Sequence, residues 1–237
     1  MAILNGAGRW LGTGYTSKPN SPFGRLAGSW PGVLLWLAVL PLAALGQANY
    51  ATPYTFTTFA GLAGVAGTAD GTNSAARFNQ PVGVAVDTNG SLYVADNVNQ
   101  TIRKVTAGGV VTTLAGLAGN AGSADGTNSV ARFNRPCGVA LDSAGSLYVA
   151  DCVNCTIRKV TPVGTNWVVT TLAGRAGYPG SAVGTNSAAR FIWAMCVAVD
   201  SAGDLFVSDS KNNTIRRGFA AGSVGMSQFG TKKRTRG

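Results

Sequence analysis

The sequence predicts an all-β chain of repeated four-stranded units, and three observations carry that expectation. The chain has 237 residues, 33 of them Gly, with 46% hydrophobic and only 12% charged side chains. That composition, spread over short Val/Ala/Leu runs, favours strands and turns over helices. A segment then recurs three times, aligned on Asp87, Asp142 and Asp200, so the spacings are 55 and 58 residues. Each copy reads as about four short strands, the arrangement of a β-propeller blade.

The middle copy is the clearest. Gly138–Leu141, Leu147–Ala150, Thr156–Val160 and Trp167–Leu172 are its expected strands. Asp142-Ser143-Ala144-Gly145 is a hairpin turn in which Gly145 takes a positive φ. Asp151 and Asn154 flank the next turn, where short polar side chains bond backbone N–H groups that the ladder leaves open. The three extra residues of the second period fall in a loop over Pro162 to Trp167. Val110–Gly116 and Val168–Gly174 are outer strands, and Tyr54–Gly61 has the same composition, so it too is expected to be a strand. After each of these comes a Gly-rich connection ending in Arg77-Phe78, Arg132-Phe133 or Arg190-Phe191, read as loop rather than helix.

The flanks differ from the repeats. Residues 1–28 are rich in Gly, Ser, Asn and Pro without periodicity and read as a disordered extension. Within 29–48, Val33 to Leu45 is an apolar run of 13 residues. That is short of the roughly 20 a spanning helix needs and suits a secretory h-region. Gly46 and Ala48 fit a signal-peptidase site, so the segment is expected to be a signal peptide cleaved after Ala48, or else a retained anchor. The protein is accordingly expected to be secreted, periplasmic or on the cell surface, touching membrane only through this segment. Residues 49–217 form the repeat body, and 218–237 a disordered basic tail.

The formal net charge of +10 suggests nucleic acid until it is located. Arg9, Lys18 and Arg25 stand in the first 48 residues, and six basic residues lie between Arg216 and Arg236, with no acid in either stretch. The body between holds ten basic and nine acidic residues, so no nucleic-acid partner is expected. Histidine is absent from the chain. That removes the usual general base, the Ser/His and Cys/His pairs and the commonest metal ligand, so no catalytic residue, metal ligand or cofactor is assigned.

Two residue sets are candidates. Cys152-Val153-Asn154-Cys155 has CxxC spacing, with Cys137 and Cys196 completing four cysteines. The readings are a structural disulfide (Cys137–Cys152, or Cys152–Cys155), buried free thiols, a metal site or a redox pair. Arg77, Arg132 and Arg190 recur before Phe. They form either a ligand-binding set or a repeated salt bridge, the latter plausible with Asp70 and Asp125. The repeated Asp87, Asp142 and Asp200, and Asp96, Asp151 and Asp209, read first as turn caps and only second as calcium or catalytic groups.

The pattern Pro-x-Gly-Val-Ala-x-Asp-x-x-Gly-x-Leu-Tyr-Val-Ala-Asp-x-x-Asn-x-x-Ile-Arg-Lys-Val at Pro81–Val105 and Pro136–Val160 resembles the NHL repeat. The third copy departs, with Ile192-Trp193-Ala194-Met195-Cys196 as its lead-in and Val183 where Asp70 and Asp125 stand. The resemblance implies a β-propeller, usually of six blades, whose first strand commonly completes its last blade. Three units are half such a ring, so two chains combine as a homodimer or the chain is a truncated copy. Residues 49–237 are therefore not expected to behave well as a monomer. The function expected is a non-catalytic binding or scaffolding surface for a protein or small ligand. Fragments of lyase-type or lactonase-type propeller enzymes, and RNA-binding NHL modules, are the alternatives the resemblance brings.

Overall fold

A computed structural model describes residues 54–219. The expected signal or anchor segment, the N-terminal extension and nearly all of the basic tail lie outside the described residues. No helix among the described residues is long and apolar enough to cross a membrane.

The described chain forms three antiparallel sheets in sequence order. The first contains β1 (Gly71–Thr72), β2 (Pro81–Val86), β3 (Leu92–Asp96), β4 (Thr101–Val105) and β5 (Val110–Gly116), in the order β1-β5-β4-β3-β2. The second repeats it with β6 (Gly126–Thr127), β7 (Pro136–Leu141), β8 (Leu147–Asp151), β9 (Thr156–Val163) and β10 (Asn166–Gly174). The third has β11 (Ala194–Val199), β12 (Leu205–Asp209) and β13 (Thr214–Gly218). Each is a blade: a meander of four strands, three in the last, with short turns between neighbours.

Local sequence explains the meander. In the first turn of each blade a carboxylate stands in for backbone partners. Asp142 Oδ1 accepts from the amides of Ala144 (3.0 Å) and Ser146 (2.8 Å), and Gly145 sits at φ +83°. Asp87 and Asp200 cap their turns in the same way, as the sequence reading expected. The second turn ends on a left-handed residue, Gln100, Cys155 or Asn213, at φ +61°, +56° and +56°.

Two expectations need correction. Pro162 to Trp167 is not a longer loop. The three extra residues extend the β9–β10 ladder, with Trp167 opposite Pro162 and Asn166 opposite Val163. Trp167 thereby reaches the first blade, meeting Tyr93 edge-on with ring centroids 6.0 Å apart. Tyr54–Gly61 forms no strand among the described residues. Its composition is that of an outer strand, but composition needs a partner. The Gly-rich connections fold as short 3₁₀ turns at Asn73–Ala75, Asn128–Val130 and Asn186–Ala188, and in the first two blades they add the two-residue strands β1 and β6.

Alternation along each inner strand sends one set of side chains to the blade before and one to the blade after. The core is correspondingly a series of joints. Tyr93, Ile102 and Leu114 of the first blade pack on Phe133, Val139 and Leu147 of the second. Tyr148, Ile157 and Leu172 of the second pack on Phe191, Val197 and Leu205 of the third. Inner strands approach closely enough that a Cβ on Gly83 would stand 2.2 Å from Cys137 O, and one on Gly138 2.7 Å from Cys196 Cα.

Candidate functional site

The charged residues that repeat are consumed inside their own blades. Asp151 is fully buried at the end of β8. Its Oδ1 accepts the Asn134 amide at 2.8 Å, and its Oδ2 accepts from Asn154 Nδ2 (2.7 Å) and Arg158 Nη1 (2.9 Å). Arg158, also fully buried, donates onward to Arg132 O (2.8 Å), Ala124 O (3.0 Å) and Asp125 Oδ1 (2.7 Å). Its guanidinium lies over the Phe133 ring at 5.2 Å. The same set recurs as Asp96–Asn99–Arg103 with Asp70, and as Asp209–Asn212–Arg216 without a second carboxylate, since Val183 replaces it. The network ties strands β3 and β4, and their counterparts, to the Gly-rich connection. Burial is the main influence on Asp151 and pushes its carboxyl up to about 6, against the hydrogen bonds it accepts.

Arg77, Arg132 and Arg190 behave differently from the expected salt bridge. Each folds back on its own 3₁₀ turn, donating to Ser74 O and Ala76 O, to Ser129, Val130 and Ala131 O, and to Ser187 and Ala189 O. The partners of Asp70 and Asp125 are Arg103 and Arg158 instead. The reason is reach: β4 and β9 run beside the connection, while the stems of Arg77 and Arg132 are packed against Gly67 and Gly122. The structure keeps these three arginines a blade apart and does not bring them together.

Of the readings left open for the cysteines, the structure holds free thiols and no disulfide, neither Cys137–Cys152 nor Cys152–Cys155. All four cysteines are free thiols, three of them buried and Cys196 exposed. Cys137 and Cys152 follow the paired residues Pro136 and Asp151 and influence each other's ionisation. The neighbouring Cys152 thiol lowers Cys137, with help from Asn97 Nδ2 at 3.3 Å, while Cys137 and burial push Cys152 up. Cys152 Sγ lies 3.5 Å from Met195 Sδ of the next blade, so the thiols fill the gap between inner strands. Cys155 turns away toward Val153 O at 3.8 Å. No three Cys, Asp or Glu side chains among the described residues converge as a metal site would require.

What differs from repeat to repeat lies along one rim, where the lead-in to the inner strand pairs with the second turn. The backbone amides of Cys152 and Val153 bond Arg135 O and Asn134 O, and those of Ser210 and Lys211 bond Trp193 O and Ile192 O. Gln80, Arg135 and Trp193 hold the same left-handed position, at φ +53°, +53° and +57°. Arg135 and Trp193 are exposed, and Lys211 Nζ stands 4.9 Å over the Trp193 ring. Arg135 N–H is bonded by Gln100 Oε1 of the preceding blade at 2.8 Å, which makes the rim continuous across the joint. Repetition in the sequence does not mark these residues. Their signal was the opposite one, three unlike side chains at one backbone position.

Comparison with known proteins agrees with this architecture. The model of the NHL repeat matches residues 78–105 and 133–160, which run from the Phe before the inner strand into the third strand of the first two blades. Over 92 residues the chain is 36% identical to Protein SUPPRESSOR OF QUENCHING 1, chloroplastic, of Arabidopsis thaliana, covering 38% of this chain and 9% of that protein. Among solved structures, an auxiliary nutrient binding protein from Bacteroides ovatus superposes with TM-score 0.53 at 22% identity, over 62% of this chain and 38% of its own. A Bacteroides thetaiotaomicron protein of unknown function gives TM-score 0.50 at 24% identity, over 54% of this chain and 32% of its own. The chain thus spans well under half the length of these relatives. The repeat motif, the blade-by-blade meander and these likenesses agree: this chain carries two NHL repeats, at residues 78–105 and 133–160, and is built of β-propeller blades.

Proposed function

We propose that the chain is a non-catalytic binding module, and that its ligand surface is the rim carrying Gln80, Arg135, Trp193 and Lys211. The observation that carries this reading is the division of labour between repeated and variable side chains. The repeated Asp, Asn and Arg residues are spent on internal hydrogen bonds. The variable ones point to solvent along one continuous edge, and they include exposed cations and an exposed indole. Cationic and aromatic groups side by side suit an acidic segment of a protein or peptide that also carries a ring. The apolar run at 33–45 supports export as the setting of this binding.

The test is a fluorescence-anisotropy titration of the full chain with a library of short peptides carrying Glu or Asp beside Tyr or Phe. Binding of a subset is expected, weakened at least tenfold by Trp193→Ala or Arg135→Ala and unchanged by Asn89→Ala in the opposite turn. Uniform failure of the library, or equal sensitivity to Asn89→Ala, rejects the assignment.

A further inference from the structure

The two internal joints are made by the same positions, and the two free ends of the array are the two halves of a third such joint. At its outer end the third blade presents Phe206 and Ile215, 38% and 73% exposed, which stand where Tyr93 and Ile102, and then Tyr148 and Ile157, stand in the buried joints. At the other end the first blade presents Phe78, Val84 and Leu92, the counterparts of Phe133, Val139 and Leu147. Val84 is 61% exposed there, against 7% for Val139. Phe78, Val84, Leu92 and Phe59 line a groove of about 320 Å³ on this face. One end therefore has the knobs and the other the matching hollow.

Among the described residues the third blade has no counterpart of the outer strands β5 and β10, and β13 has a free edge. Thr55-Phe56-Thr57-Thr58-Phe59-Ala60-Gly61 has the outer-strand sequence, matching Val110–Gly116 and Val168–Gly174. Its last residue already has outer-strand geometry. Gly61, Gly116 and Gly174 sit at φ +96°, +91° and +91°. A Cβ on each would lie 3.2, 3.1 and 3.2 Å from Cδ2 of Phe78, Phe133 and Phe191. The resemblance ends on the other side. Gly116 and Gly174 also face a carbonyl of their own blade's second turn, with Cβ positions 2.3 Å from Gln100 O and 2.4 Å from Cys155 O. Gly61 faces none. The residue at that place in the third blade is Asn213, in the same left-handed conformation.

We infer that the occupant of both ends is a second copy of this chain, joined head to tail twice, so that three blades and three blades share one ring. Residues 55–61 of each copy add antiparallel to β13 of the other. The register follows the internal blades, where Thr101 faces Gly116 and Ile102 faces Ala115. Thr214 then faces the partner's Gly61, and Ile215 the partner's Ala60. Phe206 and Ile215 enter the groove beside the partner's Phe78 and Val84. Each joint covers exposed apolar side chains and an open strand edge, two features that isolated soluble proteins seldom leave bare. Two such joints related by a two-fold axis cover both ends of the described blades in each copy, so growth stops at two.

The experiment is multi-angle light scattering of the full chain at micromolar concentration, with far-UV circular dichroism on each sample. The expected mass is twice the 24.1 kDa of one chain. Ile215→Glu is expected to raise the dissociation constant at least a hundredfold and yield monomer with an unchanged spectrum, since Ile215 supports nothing within its own blade. Gly61→Ala should weaken the dimer as well, whereas Val130→Glu, on an exposed turn of the second blade, should leave the mass alone. Ala60→Cys with Ile215→Cys, in a Cys196→Ser background, should give a covalent dimer on oxidation. A folded monomer at 100 µM, a ladder of larger masses, or a dimer indifferent to Ile215→Glu and Gly61→Ala would overturn the inference.

Discussion

Replacing Arg158 with Met tests whether the repeated network is the blade's internal frame. The guanidinium makes four hydrogen bonds, to Asp151 Oδ2, Asp125 Oδ1, Arg132 O and Ala124 O, between 2.7 and 3.0 Å. Met occupies similar volume and keeps an apolar stem against Phe133, so packing loss is small. What remains is Asp151, fully buried and still bonded by Asn134 N–H and Asn154 Nδ2, but with no counter-charge. Stranding one member of a buried ion pair costs about 3–5 kcal/mol. That is a large share of a typical stability of roughly 5–15 kcal/mol. With a urea dependence near 2 kcal/mol per molar, the unfolding midpoint should fall by about 2 M. The assay is urea unfolding followed by far-UV circular dichroism. Asp151→Asn in the Arg158→Met background should return part of the loss, because a neutral amide costs less to bury than an unpaired carboxylate. Arg216→Met should cost less, about 1–3 kcal/mol, because that side chain is 16% exposed and has a single carboxylate partner. An Arg158→Met cost below 1 kcal/mol, or an equal cost at Arg216, would refute the reasoning.

Other consequences follow from named contacts. Gly174→Ala combines φ +91° with a Cβ 2.4 Å from Cys155 O and should destabilise by more than about 2 kcal/mol, whereas Gly164→Ala, at φ +60° in open space, should cost about 1 kcal/mol. Comparative thermal melts of the two variants measure this, and similar shifts would contradict the close approach. The Asp151 carboxyl, raised by burial to about 6, is protonated in the folded chain over a range where the unfolded chain, titrating near 3.8, has lost its proton. Its contribution to stability should therefore decline as pH rises from about 4 to 6 and stay level above that. Carbon-detected NMR titration of the side chain reads the midpoint, and a value below 4 would reverse the sign. If the apolar segment directs export, N-terminal sequencing of protein recovered outside the cytoplasm should begin at Asn49.

The blade architecture was legible because its determinants are local. Gly145 for a positive φ, Asp142 as a turn cap and alternating Val, Ala and Leu in the inner strands each act over a few residues. Repetition multiplied those signals until the strand order was readable. The destination of the charged side chains was less legible. Recurrence in the sequence pairs Arg132 with Asp125, but Arg158 takes that carboxylate from 33 residues away, because β9 lies beside the connection in space. Only the fold decides which arginine is near. The variable rim was hidden for a related reason, since its residues gain meaning when blades stand side by side and Gln100 reaches Arg135.

Tyr54–Gly61 marks the division most sharply. Its residues specify an outer strand, and the turn at Gly61 has the geometry of one. Yet a strand is a relation between two edges, and no residue within the segment encodes the presence of the other. Blades, turns and a near-neutral body are written in neighbouring residues. Which charges are spent inside, where unlike side chains gather and which apolar faces stay exposed follow from packing. Range separates the two: turn and strand preferences act between neighbours, while ion pairs, joints and free edges depend on distances that only packing sets.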